Sequence, residues 1–191
     1  MNRKPGPLLF FCLTFLFTIG FPSCDGPDYF ALRDIERVEI LDRANEIYLS
    51  APASTSSDSI ALIIFNKLVS FSINYPEGLM QSAWATSPPK PLMANEIIDI
   101  RIYCEQGIYG ILPGENLATE LNFGFFSSQG IPLADFIEEL PNKGDQYYGG
   151  LEEIAIYFDS KPDPGTYQFT IEIEDNNGHI FSGNPLSLTW L

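Results

Sequence analysis

The sequence predicts an all-β protein, an antiparallel β-sandwich with one short helix. Three observations predict it. Short segments alternate apolar and polar residues with a period of two, clearest in "YQFTIEIED" and "EIIDIRIYCE". Turn signals such as "SPPKP" and "DNNG" separate them. Only one segment, "IPLADFIEELPN", places its apolar residues at helical spacing. Aromatic residues make up 14% of the chain, which fits a packed domain better than a disordered one.

The elements follow in order. Residues 24–34 read as a tether, and residues 35–191 as a single sandwich domain. "DIERVEILD" gives a first strand through Ile35, Val38 and Ile40, with an irregularity between Ile35 and Val38. The small polar run 50–59 reads as a loop. Ile60 to Phe65 is continuously apolar, as in a strand buried on both faces. From Val69 the apolar positions become odd: Val69, Phe71, Ile73, Tyr75. The prolines of 87–91 cannot sit within a central strand. In 96–105, Ile98, Ile100, Ile102 and Cys104 share one face, and Ile97, Asp99, Arg101 and Tyr103 the other. "GIYGILPGENLATE" reads as a connection and "LNFGFF" as a strand. Leu133, Phe136, Ile137 and Leu140 form the apolar stripe of the helix, which Pro141 stops. "KGDQYYGG" is a loop, and "LEEIAIYF" a strand with Ile154, Ile156 and Phe158 on one face.

The last strand pair is the clearest. Tyr167, Phe169, Ile171 and Ile173 face inward, opposite Thr166, Gln168, Thr170, Glu172 and Glu174. "DNNG" turns the chain, with Asn177 and Gly178 suited to a type I′ turn. A two- or four-residue loop sends Ile180 inward beside Ile173, whereas a three-residue loop sends Phe181 inward. Leu186, Leu188 and Trp190 close the chain in register. This ending resembles the last hairpin of Ig-like and fibronectin-like domains, without the Cys…Trp…Cys core of antibody domains.

The front end gives an address. Arg3 and Lys4 precede an apolar run from Leu8 to Phe21. A bilayer-spanning helix needs about 20 apolar residues, so the run fits a secretory signal over residues 1–23. Its end, "FPSC", resembles a bacterial lipoprotein signal, in which the thiol of a cysteine is lipidated before cleavage. That resemblance makes Cys24 the lipid attachment site and the outer membrane of the cell envelope the location, periplasmic or surface-exposed. Phe21 and Pro22 depart from the usual pattern, and cleavage after Gly20 with plain secretion is the alternative. Asp25 and Asp28 weakly resemble the acidic signal that sends such lipoproteins to the surface. Cys12 would be discarded and Cys24 acylated, leaving Cys104 as a buried thiol; without lipid, a Cys24–Cys104 bridge is open.

The formal charge is −15, and losing Arg3 and Lys4 takes it near −17. Such a charge repels phosphates and argues against nucleic acid as a partner. Chemistry-bearing motifs are sparse. Glu138-Glu139 and Glu152-Glu153 are adjacent pairs, and neighbours on a strand point apart. Glu172 and Glu174 share the solvent face of a regular strand. "DNNG" fails as a calcium loop at both ends, which leaves Asp159, Asp163 or Asp175 for an incidental site. His179 is the single histidine and lies beside a turn, with no nucleophile elbow in the sequence. The sequence therefore predicts no catalytic residue, no metal site and no cofactor. Aromatic residues in loops are the remaining lead: Trp84 before the prolines, and Tyr147 and Tyr148 in "DQYYGG". Such rings stack on sugars or grip protein partners. In the plainer reading, Trp84 caps the core edge and one tyrosine packs inward.

The degenerate lipobox, "CDGPDYFALRDIERVEI", "IIDIRIY", "LPGENLATELNF" and "PGTYQFTIEIEDNNGHIF" together resemble small Bacteroidetes envelope lipoproteins of unknown function. The resemblance implies anchoring by lipid and no assigned activity. The expected function is a non-enzymatic binding or structural module with a protein or glycan partner. A small hydrolase using carboxylates on glycans is the alternative.

Overall fold

The computed structural model describes residues 28–72, 90–125 and 129–191. Among these residues there are twelve strands in two sheets and one α-helix. The first sheet contains β1 (Asp28–Asp42), β2 (Ile47–Leu49), β4 (Ile60–Ser72), β5 (Leu92–Met93), β7 (Asn122–Phe125), β8 (Ile131–Pro132) and β9 (Glu153–Tyr157). Its order is β2-β1-β4-β9-β7-β8, with β5 parallel to β1. The second contains β3 (Ala53–Thr55), β6 (Ile97–Cys104), β10 (Gly165–Asp175), β11 (Ile180–Ser182) and β12 (Leu186–Trp190). Here β10 pairs β6, β11 and β12, and β3 runs parallel to β12.

Stripped of its short strands, the first sheet reads β1-β4-β9-β7 and the second β6-β10-β12. That is the ABED and CFG arrangement of Ig-like sandwiches. One further device of that fold is present. The Tyr167 hydroxyl, near the start of β10, donates to the Asp163 carbonyl at 2.8 Å, forming a tyrosine corner. In place of a disulfide, rings fill the centre. Trp190 packs edge-on to Phe158 at 5.4 Å, Tyr167 at 5.5 Å and Phe169 at 6.2 Å. Cys104 is a free, buried thiol, and burial pushes its pKa up.

The two inner faces share one core. Ile40, Leu62, Ile64, Phe123, Ile154 and Ile156 meet Ile100, Ile102, Phe169, Ile171, Ile173 and Leu188. The double burial expected for β4 is present: Ala61 and Ile63 pack outward with Ala155 and Tyr157 in a second cluster. Arginine stems extend over this outer cluster, with Arg37 3.8 Å from the Phe65 ring centre and Arg43 4.5 Å from that of Tyr157. The helix α1 (Leu133–Glu139) buries Phe136 against Phe123 and Phe125, as its spacing predicts.

Four expectations need correction. Residues 28–34 are not tether. They form the first half of β1, paired with β4 from Asp28↔Ser72 onward, and Leu32 is buried. The polar "DGPDY" masked a strand whose inward residues come later. The loop 50–59 contains β3, because Ala53 and Thr55 are buried against β12. On β6, Ile98 is exposed and Ile97 buried. A bulge opposes Glu174 to Asp99 and Asp175 to Ile97, so Ile98 is the extra residue and the alternation breaks there. The odd face of β4 beyond Val69 is not core: Phe71 is exposed and stacks on Tyr29 across β1. Ile73 and Tyr75 lie outside the described residues.

The turn after β10 is resolved in favour of three residues. The Asp175 N–H donates to the His179 carbonyl and the Gly178 N–H to the Asp175 carbonyl. Gly178 alone in this turn takes positive φ, at 79°, so the turn is not type I′. Ile173 therefore pairs Phe181, and Ile180 faces solvent. The irregularity expected after Ile35 is present as a register shift between Ile35 and Arg37.

Candidate functional site

The two loop tyrosines are separated by the local backbone. The loop 142–150 is tied down before it reaches them. The Met93 N–H donates to the Asp145 carbonyl, the Gly144 N–H to the Met93 carbonyl and the Tyr147 N–H to the Pro91 carbonyl, each at 2.8 Å. Asp145 also accepts from the Asn142 backbone N–H at 3.0 Å, closing a small turn. The extended stretch then points successive side chains to opposite sides. Tyr147 goes inward, its ring 4.9 Å from that of Phe30. Burial, with the Glu152 carboxylate beside it, holds its phenol far above the ordinary range. Tyr148 goes outward and is 78% exposed. Gly149 and Gly150 follow at φ 97° and 100°, which lets the chain turn away from the ring at once.

Tyr148 stands over an open hollow of about 590 Å³. Glu138 and Glu139 at the end of α1, with Asn142, Asp145 and Gln146, supply its polar rim, and Phe125 and Pro141 its apolar part. The Tyr148 hydroxyl donates to Gln146 Oε1, and Lys90 Nζ lies 5.5 Å from the ring centre. A flat ring beside amides and carboxylates suits a hydroxyl-rich ligand: the ring takes the C–H face and the rim takes the hydroxyls. Of the sequence-predicted residues, Tyr148 is on this shelf and Tyr147 is core. Trp84 and Cys24 lie outside the described residues.

Several carboxylates away from the shelf are engaged in structural bonds. Glu174 and Asp99 both pair with Arg101. Glu152 accepts from the Gly150 N–H at 2.8 Å. Asp159 accepts from Asn122 Nδ2. Asp163 and Asp175 flank opposite ends of β10, an eleven-residue strand that spans about 35 Å at ~3.3 Å per residue, so they cannot share a cation. Among the described residues, no group of three or more His, Cys, Asp and Glu gathers to hold a metal ion.

The bonds that Asp175 gathers are what sequence reasoning missed. Asp175 is 1% exposed. Its Oδ1 accepts from the N–H groups of Asn177 and His179, both at 2.9 Å. Its Oδ2 accepts from Asn95 Nδ2 at 2.9 Å and sits 3.0 Å from His179 Nδ1. Asn95 in turn clasps the Leu32 backbone through both N–H and carbonyl. Burial alone would raise the Asp175 pKa, but these donors hold it well below the usual carboxylate range. The signal was readable: Asp175 continues the inward parity of Ile171 and Ile173. His179 thus has a buried orienting carboxylate, but among the described residues no Ser, Thr or Cys lines the hollow beside it.

No protein-family model matches the chain, and no curated protein matches it. Solved structures that it resembles are "BspA_C_mut" (10% identity, TM-score 0.33) and "BspA_C_WT" (10%, 0.31). The Streptococcus agalactiae AgI/II polypeptide BspA C terminal domain (WT) matches with the same identity and a TM-score of 0.31. Each match covers 80% of this chain and 46–49% of the other, so the chain spans about half the length of those structures. At that similarity the likeness carries no functional argument, and the strand order above carries the fold.

Proposed function

We propose that the chain is an exported, lipid-anchored envelope module that binds a glycan on the Tyr148 shelf without turning it over. The observation that carries the reading is the 78% exposure of Tyr148 on a loop bonded at three points to β5 and the segment before it. An exposed ring on an ordered backbone is a preformed platform, which reduces the ordering cost of binding. The address rests on the basic start, the short apolar run and Cys24, with the resemblance to Bacteroidetes envelope lipoproteins in support. Residues 24–27 leave at most ~14 Å between an acylated Cys24 and the start of β1, which would keep the domain close to the bilayer.

A glycan array probed with the mature protein and with Tyr148→Ala tests the reading. Binding that falls about tenfold or more in Tyr148→Ala supports it. Glu138 and Glu139 on the same rim favour the hydrolase as the second reading. Products released by the wild type and not by Glu138→Gln or Glu139→Gln would establish that reading instead. Absence of any glycan hit, with a protein captured through Tyr148, would transfer the shelf to a protein partner.

A further inference from the structure

We infer that the hollow between β1 and the β10–β11 turn is a second ligand site, built for a small monocarboxylic acid with an apolar body. The hollow measures about 620 Å³, within the range of small-molecule sites. Its anchor is Arg33. The register of β1 on β4 jumps from Leu32↔Leu68 to Asp34↔Lys67, so Arg33 is the unpaired residue of a β-bulge. Bulges re-aim single side chains, and this one places Arg33 on the wall of the hollow.

Arg33 forms no ion pair among the described residues, in a chain with 25 acidic and 10 basic residues. Its neighbour Asp34 accepts from the Ile35 N–H instead. By contrast, Arg37 and Arg101 each meet two carboxylates. An unmatched guanidinium presents a planar fork suited to a carboxylate. The other walls are apolar or fixed. Phe71 and Ile180 are 44% and 52% exposed, and both line the hollow with the half-buried Phe181. The His179 ring, 6.3 Å from the Phe181 ring, is held from behind by buried Asp175. Asn95 locks that carboxylate to β1, so the two sides of the hollow are joined through its floor.

A cation and three apolar side chains lining one hollow select a ligand with one acidic group and a hydrocarbon or aryl body. A sugar lacks the apolar body, and a phosphate-rich ligand meets one cation in an acidic protein. The site is independent of the Tyr148 shelf.

The test is calorimetric titration of the mature full chain with phenylacetate and with octanoate. The neutral phenylacetamide and the cationic phenethylamine serve as comparisons. Saturable binding of a carboxylate, about tenfold or more tighter than the amide, is expected. Arg33→Gln should weaken it about tenfold, Phe71→Ala several-fold, and Arg37→Gln not at all. Arg33 is exposed, so unchanged circular dichroism will accompany its substitution. No saturable binding of either acid up to about 10 mM, equal affinity for the amide, or full affinity in Arg33→Gln would each overturn the assignment.

Discussion

Replacing Asp175 by alanine removes the acceptor for five groups at the end of the sandwich. The backbone N–H groups of Asn177 and His179 lose Oδ1, and Asn95 Nδ2, Asn177 Nδ2 and His179 Nδ1 lose Oδ2. Those at the turn and His179 can be rehydrated, since the His179 side chain is 67% exposed. Asn95 is 6% exposed and cannot easily be. One hydrogen bond to a charged group contributes about 1.5–3 kcal/mol, and stranding a buried donor costs about 1–3 kcal/mol. The losses overlap, so the expected total is about 3–5 kcal/mol. The effect must also depend on pH. A carboxylate with a depressed folded-state pKa stabilises fully above its unfolded value, and the gain fades as pH falls through and below it. With an ordinary aspartate near pH 3.9, the gap between wild type and Asp175→Ala should be full at neutral pH and shrink below about pH 4. Urea unfolding followed by tryptophan fluorescence at pH 7 and pH 3 measures it. A loss under about 1 kcal/mol at pH 7, or a gap at pH 3 as large as that at pH 7, would refute the reasoning.

Three further outcomes are expected. Ile97→Ala should cost about 2–4 kcal/mol and Ile98→Ala about 0.5 kcal/mol or less, and reversed values would remove the bulge on β6. Tyr167→Phe should lose about 1 kcal/mol by giving up the bond to Asp163, whereas full stability would mean that the tyrosine corner contributes nothing. Intact mass of membrane-extracted protein should place acyl chains on Cys24, and Cys24→Ser should move the protein to the soluble fraction. An unmodified start at Phe21 would contradict the anchor.

Legibility in the sequence followed how local the cause was. The period-two run from Tyr167 to Ile173 and the stripe of α1 each depend on residues within one element, and both appear as read. Cross-strand register does not show in a single segment. Ile98 looks like core by alternation until Asp175 pairs with Ile97. Residues 28–34 look like tether until β4 lies beside them. The same holds for sites. "DQYYGG" announces two aromatic residues, but only the bonds to β5 and to Pro91 decide that Tyr147 is core and Tyr148 is not. Arg33 carries no local signal, because its unpaired position comes from a bulge defined by its partner strand. Asp175 was within reach, as a carboxylate at an inward position before Asn-Asn-Gly.

The binding account is tested most directly by mapping a glycan onto the protein. Mature, isotope-labelled protein titrated with an oligosaccharide hit from the array should shift the amide resonances of 142–150 and of Glu138 and Glu139. The oligosaccharide's own signals should remain intact over the titration. Shifts centred elsewhere, or the appearance of cleaved sugar, would contradict it.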